Sequence, residues 1–159
     1  MNTSATNSII NALDSAPSII LPLLREIPAD LLKRRPAPGV WSAHEHACHL
    51  AEVHPLFLRR LDLMLSDLHS VIKPYSPDAD QEDGALLKVD LDSALARYVR
   101  ERQQLVVRLR QLTPQQWQIT AEHPEYSRYS MLIMFRHLAL HDMDHAYSIE
   151  ELLLRRDWA

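Results

Sequence analysis

The 159-residue sequence predicts an all-α fold, a four-helix bundle built as one domain over residues 1–159, and three observations carry that reading. Apolar residues recur at helical spacing in four long stretches. No stretch alternates with the two-residue period of a strand, and no internal repeat divides the chain. With 47% apolar residues the chain has enough material for one core.

Composition excludes several classes of protein. A net charge of -4, with Lys and Arg spread along the chain, gives no electrostatic reason to bind nucleic acid or an anionic membrane. No apolar run is long enough to span a bilayer, and the polar stretch Met1 to Ser8 lacks a signal-type pattern, so a soluble cytoplasmic protein is expected. One cysteine, Cys48, rules out an intramolecular disulfide and an all-cysteine zinc site. Only two glycines, Gly39 and Gly84, argue against Rossmann, P-loop and nucleophile-elbow chemistry, each of which needs a glycine-rich turn.

Helix one is expected from about Asn7 to Ile27, with a kink or break near Asp14-Ser15-Ala16-Pro17, because Pro17 and Pro22 each remove a donor and crowd the preceding turn. Arg35-Pro36-Ala37-Pro38-Gly39 reads as a rigid extended connection. Trp41-Ser42-Ala43-His44-Glu45 is the best helix start in the chain, with Ser42 as cap and Glu45 completing a capping box. Helix two then runs to about Leu68, and Pro55 is expected to be tolerated within it. Its helical repeat turns His49 and His46 toward the core and sends His44 and His54 out to solvent. Residues 69–89 include an acidic stretch without a helical stripe, expected to be a long loop or crossover of the kind that covers a site. Helix three spans about Asp90 to Leu112, one short turn leads to Trp117, and Ser130 caps helix four, which ends near Leu154.

Helix four carries the chemistry. His137, His141 and His145 stand four residues apart and so stack along one side. His141 and His145 fall in the stripe of Met134, Leu138, Ile149 and Leu152, and His137 lies at its edge. Imidazoles turned into an apolar interior need partners, so the pair is read either as two metal ligands or as two core histidines bonded to carboxylates. A second apolar side of this helix, Leu132, Phe135, Ala139, Ala146 and Leu153, suggests a homodimer interface unless another helix covers it.

Taken together, Pro36-Ala37-Pro38-Gly39-Val40-Trp41-Ser42, Glu45, His49-Leu50, His123-Pro124-Glu125-Tyr126-Ser127-Arg128-Tyr129, and His141-Asp142-x-x-His145 with Ile149 resemble the DinB/YfiT-like superfamily over nearly the whole chain. The resemblance implies a four-helix bundle holding one metal ion, usually nickel or zinc, on one histidine of helix two and two of helix four. The matching positions are His49, His141 and His145. It also implies a homodimer, and an activity among metal-dependent hydrolases or transferases that use a low-molecular-weight thiol. His46 departs from the family, which usually has an aliphatic residue there; it reads as an extra ligand, an outer partner of the site, or a partly exposed structural histidine.

Three neutral imidazoles on two helices leave coordination positions open, where a metal-bound water or thiolate could act. No protein side chain is assigned as the catalytic group. Asp142, Asp144, Glu45 and Glu52 are the candidates for orienting the ligand rings. Glu45 is already committed to the capping box, and Asp142 and Asp144 have solvation as their competing role. Cys48 points away from His49 and reads as packing, while Trp41, Trp117, Tyr126 and Tyr129 read as core or loop anchors. Arg128, in the loop entering helix four, reads first as a surface residue and otherwise as a contact for an anionic substrate. Two function classes follow: a metal-dependent enzyme, or a non-catalytic metal-binding or assembly bundle without direct DNA contact.

Overall fold

Each of the four amphipathic stretches folds as a long helix, and the computed structural model describes residues 3–75 and 82–158. The helices are α1 (Thr3–Glu26), α2 (Ala43–Ser66), α3 (Leu91–Gln111) and α4 (Met131–Leu153). Among the described residues there is no β-strand, only the isolated bridges Val71–Glu122 and Thr120–Ser130. Packing pairs α1 with α4 and α3, and α2 with α3 and α4. The consecutive helices α1 and α2 barely meet and sit on one diagonal of the bundle, as do α3 and α4.

The helix starts follow from their caps. Ser42 accepts from the Glu45 N–H while the Glu45 carboxylate accepts from the Ser42 N–H, which satisfies two otherwise orphaned donors. Asp90 caps α3 through Ser93 N–H, and Ser130 caps α4 through Ile133 N–H. Of the loop expected at residues 69–89, the part from 76 to 81 lies outside the described residues. Ala85–Lys88 forms a short 3-10 turn that packs on α2.

The structure departs from the sequence reading in α1. No break occurs: the helix is continuous from Thr3 to Glu26 with Pro17 and Pro22 inside it. Pro17 cannot donate to the carbonyl four residues back, which belongs to Leu13. That carbonyl instead accepts from the Arg102 guanidinium at 2.9 Å, so a side chain of α3 takes the place of the missing backbone donor.

Arg102 is 1% exposed and reaches every helix. Its Nη1 also donates to Asp142 Oδ2 of α4, and its Nε donates to His54 Nε2 of α2 at 2.9 Å. This polar layer separates two apolar clusters. One holds Leu13, Leu61, Met64, Leu105, Leu109, Met134 and Phe135, and the other Ala16, Ile20, Leu50, Tyr98, Ala146 and Ile149.

His54 and His44 are therefore not solvated, which corrects the sequence expectation for both. α2 is covered on more sides than one stripe implies: His54 lies under Arg102, and His44 donates from Nε2 to the Leu86 carbonyl of the 3-10 turn at 3.1 Å. The proposed dimer side of α4 is likewise occupied within the chain, with Phe135, Ala139 and Ala146 buried. Burial in a single chain removes the argument that this side needs a second copy.

Removing one member of a buried ion pair strands the other charge, at a cost of about 3–5 kcal/mol, whereas replacing both by apolar groups costs much less. Urea unfolding of the metal-free protein should therefore show Arg102→Leu destabilised by about that amount. The double variant R102M/D142L should recover much of the loss.

Candidate metal centre

Two histidines one turn apart on α4 and one on α2 meet where these helices pack. His49 Nε2 lies 3.0 Å from His141 Nε2, and His145 Nε2 lies 3.1 Å from the same atom. One nitrogen of each residue falls within 4.8 Å of the others, and these three form the only such cluster of possible metal ligands among the described residues. His49 and His145 are buried, and His141 is half-buried.

The protonation states follow from burial. Desolvation, reinforced by neighbouring imidazoles, lowers the His49 pKa to about 3 and the His145 pKa to about 2, and desolvation lowers that of His141 too. All three rings are neutral at pH 7, the form that ligates a metal. Protons alone do not satisfy the arrangement. A neutral His141 Nε2 has either one N–H or one lone pair, and two imidazole nitrogens crowd against it. A cation that accepts all three lone pairs resolves the conflict, so the residues present fit a bound metal ion.

The carboxylates considered as outer partners are engaged elsewhere. Burial works against the Glu45 carboxylate, but the Arg35 guanidinium and the Ser42 donors outweigh it, leaving its pKa below the ordinary value. Glu52 pairs with Arg97, Asp142 with Arg102, and Asp144 is exposed. The Nδ1 atoms of His49 and His141 are buried without a protein partner among the described residues. His145 differs, because its Nδ1 lies 2.7 Å from Nδ1 of His46. Cys48 is buried, and burial raises its thiol to about 12, consistent with a packing role.

The trio opens into a cavity of about 340 Å³. Its wall includes Trp41, Phe57, Arg60, Tyr75, Tyr126 and Tyr129, with His123 and His137. Trp41 packs against the His49 ring at 4.8 Å and stacks on His145 at 6.0 Å, and Tyr75 stacks on His49 at 6.3 Å. Sequence reasoning treated Trp41, Tyr126 and Tyr129 as anchors and missed them as cavity wall, since loops with no periodicity place them. Trp117 is a buried core residue as expected. Tyr75 and Pro74 do bring the 69–89 loop to the site. Arg128 instead lines a separate cleft of about 720 Å³ that contains none of the trio, and Arg60 is the arginine in the wall of the histidine cavity.

Helical bundle, diagonal topology and an inward histidine trio define a class of protein. The chain belongs to the DinB superfamily, whose family profile matches residues 12–149. It is 26% identical over 155 residues to the "Putative metal-dependent hydrolase" OB0782 of Oceanobacillus iheyensis, covering 96% of this chain and 88% of that protein. Its fold is similar to that of YfiT from Bacillus subtilis, with a TM-score of 0.88 at 22% identity, over 100% of this chain and 91% of that one. The YfiT structure is described as a probable metal-dependent hydrolase with an unusual four-helix bundle topology. No helix of the described residues is long and apolar enough to cross a membrane.

The buried histidines predict a pH response, and His54 isolates one component. Desolvation, with the charge of Arg102, lowers its pKa from 6.5 to about 3, and Arg102 and Tyr98 pack against it. The unfolded chain binds the extra proton between those values, so the stability His54 contributes is complete above about pH 6.5 and is lost as pH falls toward 3. In chelator, His54→Gln should flatten the fall of unfolding free energy by up to about 1.4 kcal/mol per pH unit in that window. Denaturant melts from pH 7 to 4 check this.

Proposed function

We propose that the chain is a metal-dependent enzyme in which the Nε2 atoms of His49, His141 and His145 hold one divalent transition metal ion, zinc or nickel. The observation that carries the reading is the convergence of three neutral imidazoles, from two rigid helices, at one end of an open cavity. A bound ion would supply Lewis acidity there. The ligand type suits zinc, nickel, copper or iron, and the family resemblance narrows the set to the first two.

The chain's own residues do the remaining work. Trp41 and Tyr75 lay rings against the histidines and exclude water from their flanks. Arg60 provides one fixed cation in the wall for an anionic part of a substrate, with its Nη2 held by the Lys73 carbonyl at 2.6 Å. In its neutral form His123 keeps its proton on Nε2, because its Nδ1 accepts from the Glu125 N–H at 3.2 Å, and desolvation lowers its pKa from the ordinary value. We favour hydrolysis, with transfer of a low-molecular-weight thiol as the second reaction. Metal-loaded protein should therefore turn over some member of a panel of esters, amides and thiol-conjugation substrates. Inactivity across the panel with the metal in place supports the non-catalytic metal-binding bundle instead.

Metal analysis tests the ligand set directly. Purified protein should take up about one ion per chain, the stoichiometry of a single three-histidine site. His49→Ala, His141→Ala or His145→Ala should each abolish most of the uptake, while His69→Ala, at an exposed position, leaves it unchanged. A chelator should lower the melting temperature of the unmodified protein only. Identical melting with and without chelator would make the trio structural.

We further propose a homodimer, on a different face from the one the sequence suggested. Leu140 and Tyr147 on one side of α4, and Leu154 just past its end, are 62%, 61% and 69% exposed and stand seven residues apart. Sedimentation should show dimer at micromolar concentration, and Tyr147→Glu should shift it to monomer. A monomeric unmodified protein sinks this part of the reading.

A further inference from the structure

His46 lies one turn before His49 on α2, and its ring is not one of the three that converge. Its Nδ1 approaches His145 from behind, 2.7 Å from Nδ1, while His145 Nε2 faces His141. An imidazole that gives Nε2 to a metal must carry its proton on Nδ1, and His46 is the only protein group within hydrogen-bond distance of that atom among the described residues. Trp41 fixes both planes, standing edge-on to His46 at 5.5 Å and stacking on His145. His46 also lines the surface groove behind the site, with Ser148 and Glu151.

We infer that His46 is a positioning residue of this centre: its Nδ1 accepts the Nδ1–H of His145, which keeps the His145 proton off Nε2 and fixes the ring toward His49 and His141. The inference rests on the metal reading above. The opposite polarity, with His46 donating, would leave the proton on His145 Nε2 and place it inside the trio. His49 and His141 have no equivalent group, so a single hydrogen bond orients one ligand while packing holds the other two.

Three variants and one spectrum test this. His46→Leu keeps the bulk and removes the acceptor, and zinc affinity, measured by competition with a chromophoric chelator, should fall about 10–100-fold. His46→Asn restores an acceptor, since Asn Oδ1 and His Nδ1 are both bonded to Cγ, and should regain most of the affinity. His69→Ala should bind as the unmodified protein does. In zinc-loaded protein with 15N-labelled histidine, long-range proton–nitrogen correlation should place the proton of His145 on Nδ1 and that of His46 on Nε2. Unchanged affinity in His46→Leu, Asn no better than Leu, or a proton on His46 Nδ1 in the loaded protein each overturns the assignment. Failure of the unmodified protein to bind zinc or nickel overturns the metal reading itself, whereas normal binding with an indifferent His46→Leu removes His46 alone.

Discussion

The guanidinium of Arg102 joins all four helices. It enters from α3, takes the α1 carbonyl that Pro17 frees, donates to His54 on α2 and pairs with Asp142 on α4. Burial opposes the Arg102 charge, and the Asp142 carboxylate, with Tyr98 beside it, more than compensates, so its pKa stays above the ordinary value. A desolvated cation of this kind tolerates little displacement, because each lost bond strands charge in a medium that cannot replace it. The layer therefore fixes the relative height of helices that otherwise present smooth apolar stripes. Its consequence reaches the site through sequence: Asp142 follows His141, and His54 lies five residues beyond His49.

The histidine centre is built with the opposite logic. Three of the carboxylates near the centre are paired with arginines: Glu45 with Arg35, Glu52 with Arg97 and Asp142 with Arg102. No carboxylate is bonded to a ligand ring among the described residues, and two of the rings, His49 and His141, have no protein partner at Nδ1. A carboxylate bonded to a ligand imidazole raises its basicity and offsets part of the ion's charge. Without one, a cation held here keeps more of its charge for whatever occupies the cavity, and orientation of the rings falls to packing by Trp41 and to His46.

The four helices were legible because each keeps a 3.6-residue stripe between recognisable caps, and the capping box at Ser42 and Glu45 set the phase of α2. That phase put His49 inward, and the spacing on α4 did the same for His141 and His145. Local periodicity fails where several neighbours cover one helix. His44 and His54 lie off the stripe of α2 and are still buried, one under the 3-10 turn and the other under Arg102. Arg102 was itself invisible as a core residue, since a lone arginine in α3 reads as solvated until a partner 40 positions later accounts for its charge. Pro17 misled for the same reason: its local cost is real, but the compensating donor comes from another helix. The cavity wall escaped because Trp41, Tyr75, Tyr126 and Tyr129 sit outside the helices, where no period assigns a face.

The two polar groupings divide the labour of the fold. The Arg102 layer ties all four helices and splits the apolar core into two clusters, so sliding one helix would strain the Arg102–Asp142 pair and its neighbouring hydrogen bonds. The trio draws on only α2 and α4, which pack directly against each other, while α1 gives the Arg102 layer a backbone carbonyl and the trio no side chain. The diagonal placement of consecutive helices makes this possible, because it brings α2 beside α4 although α3 lies between them in the chain. The connections before α2 and α4 carry Trp41, Tyr126 and Tyr129, so the topology that joins the ligands also delivers the aromatic wall around them.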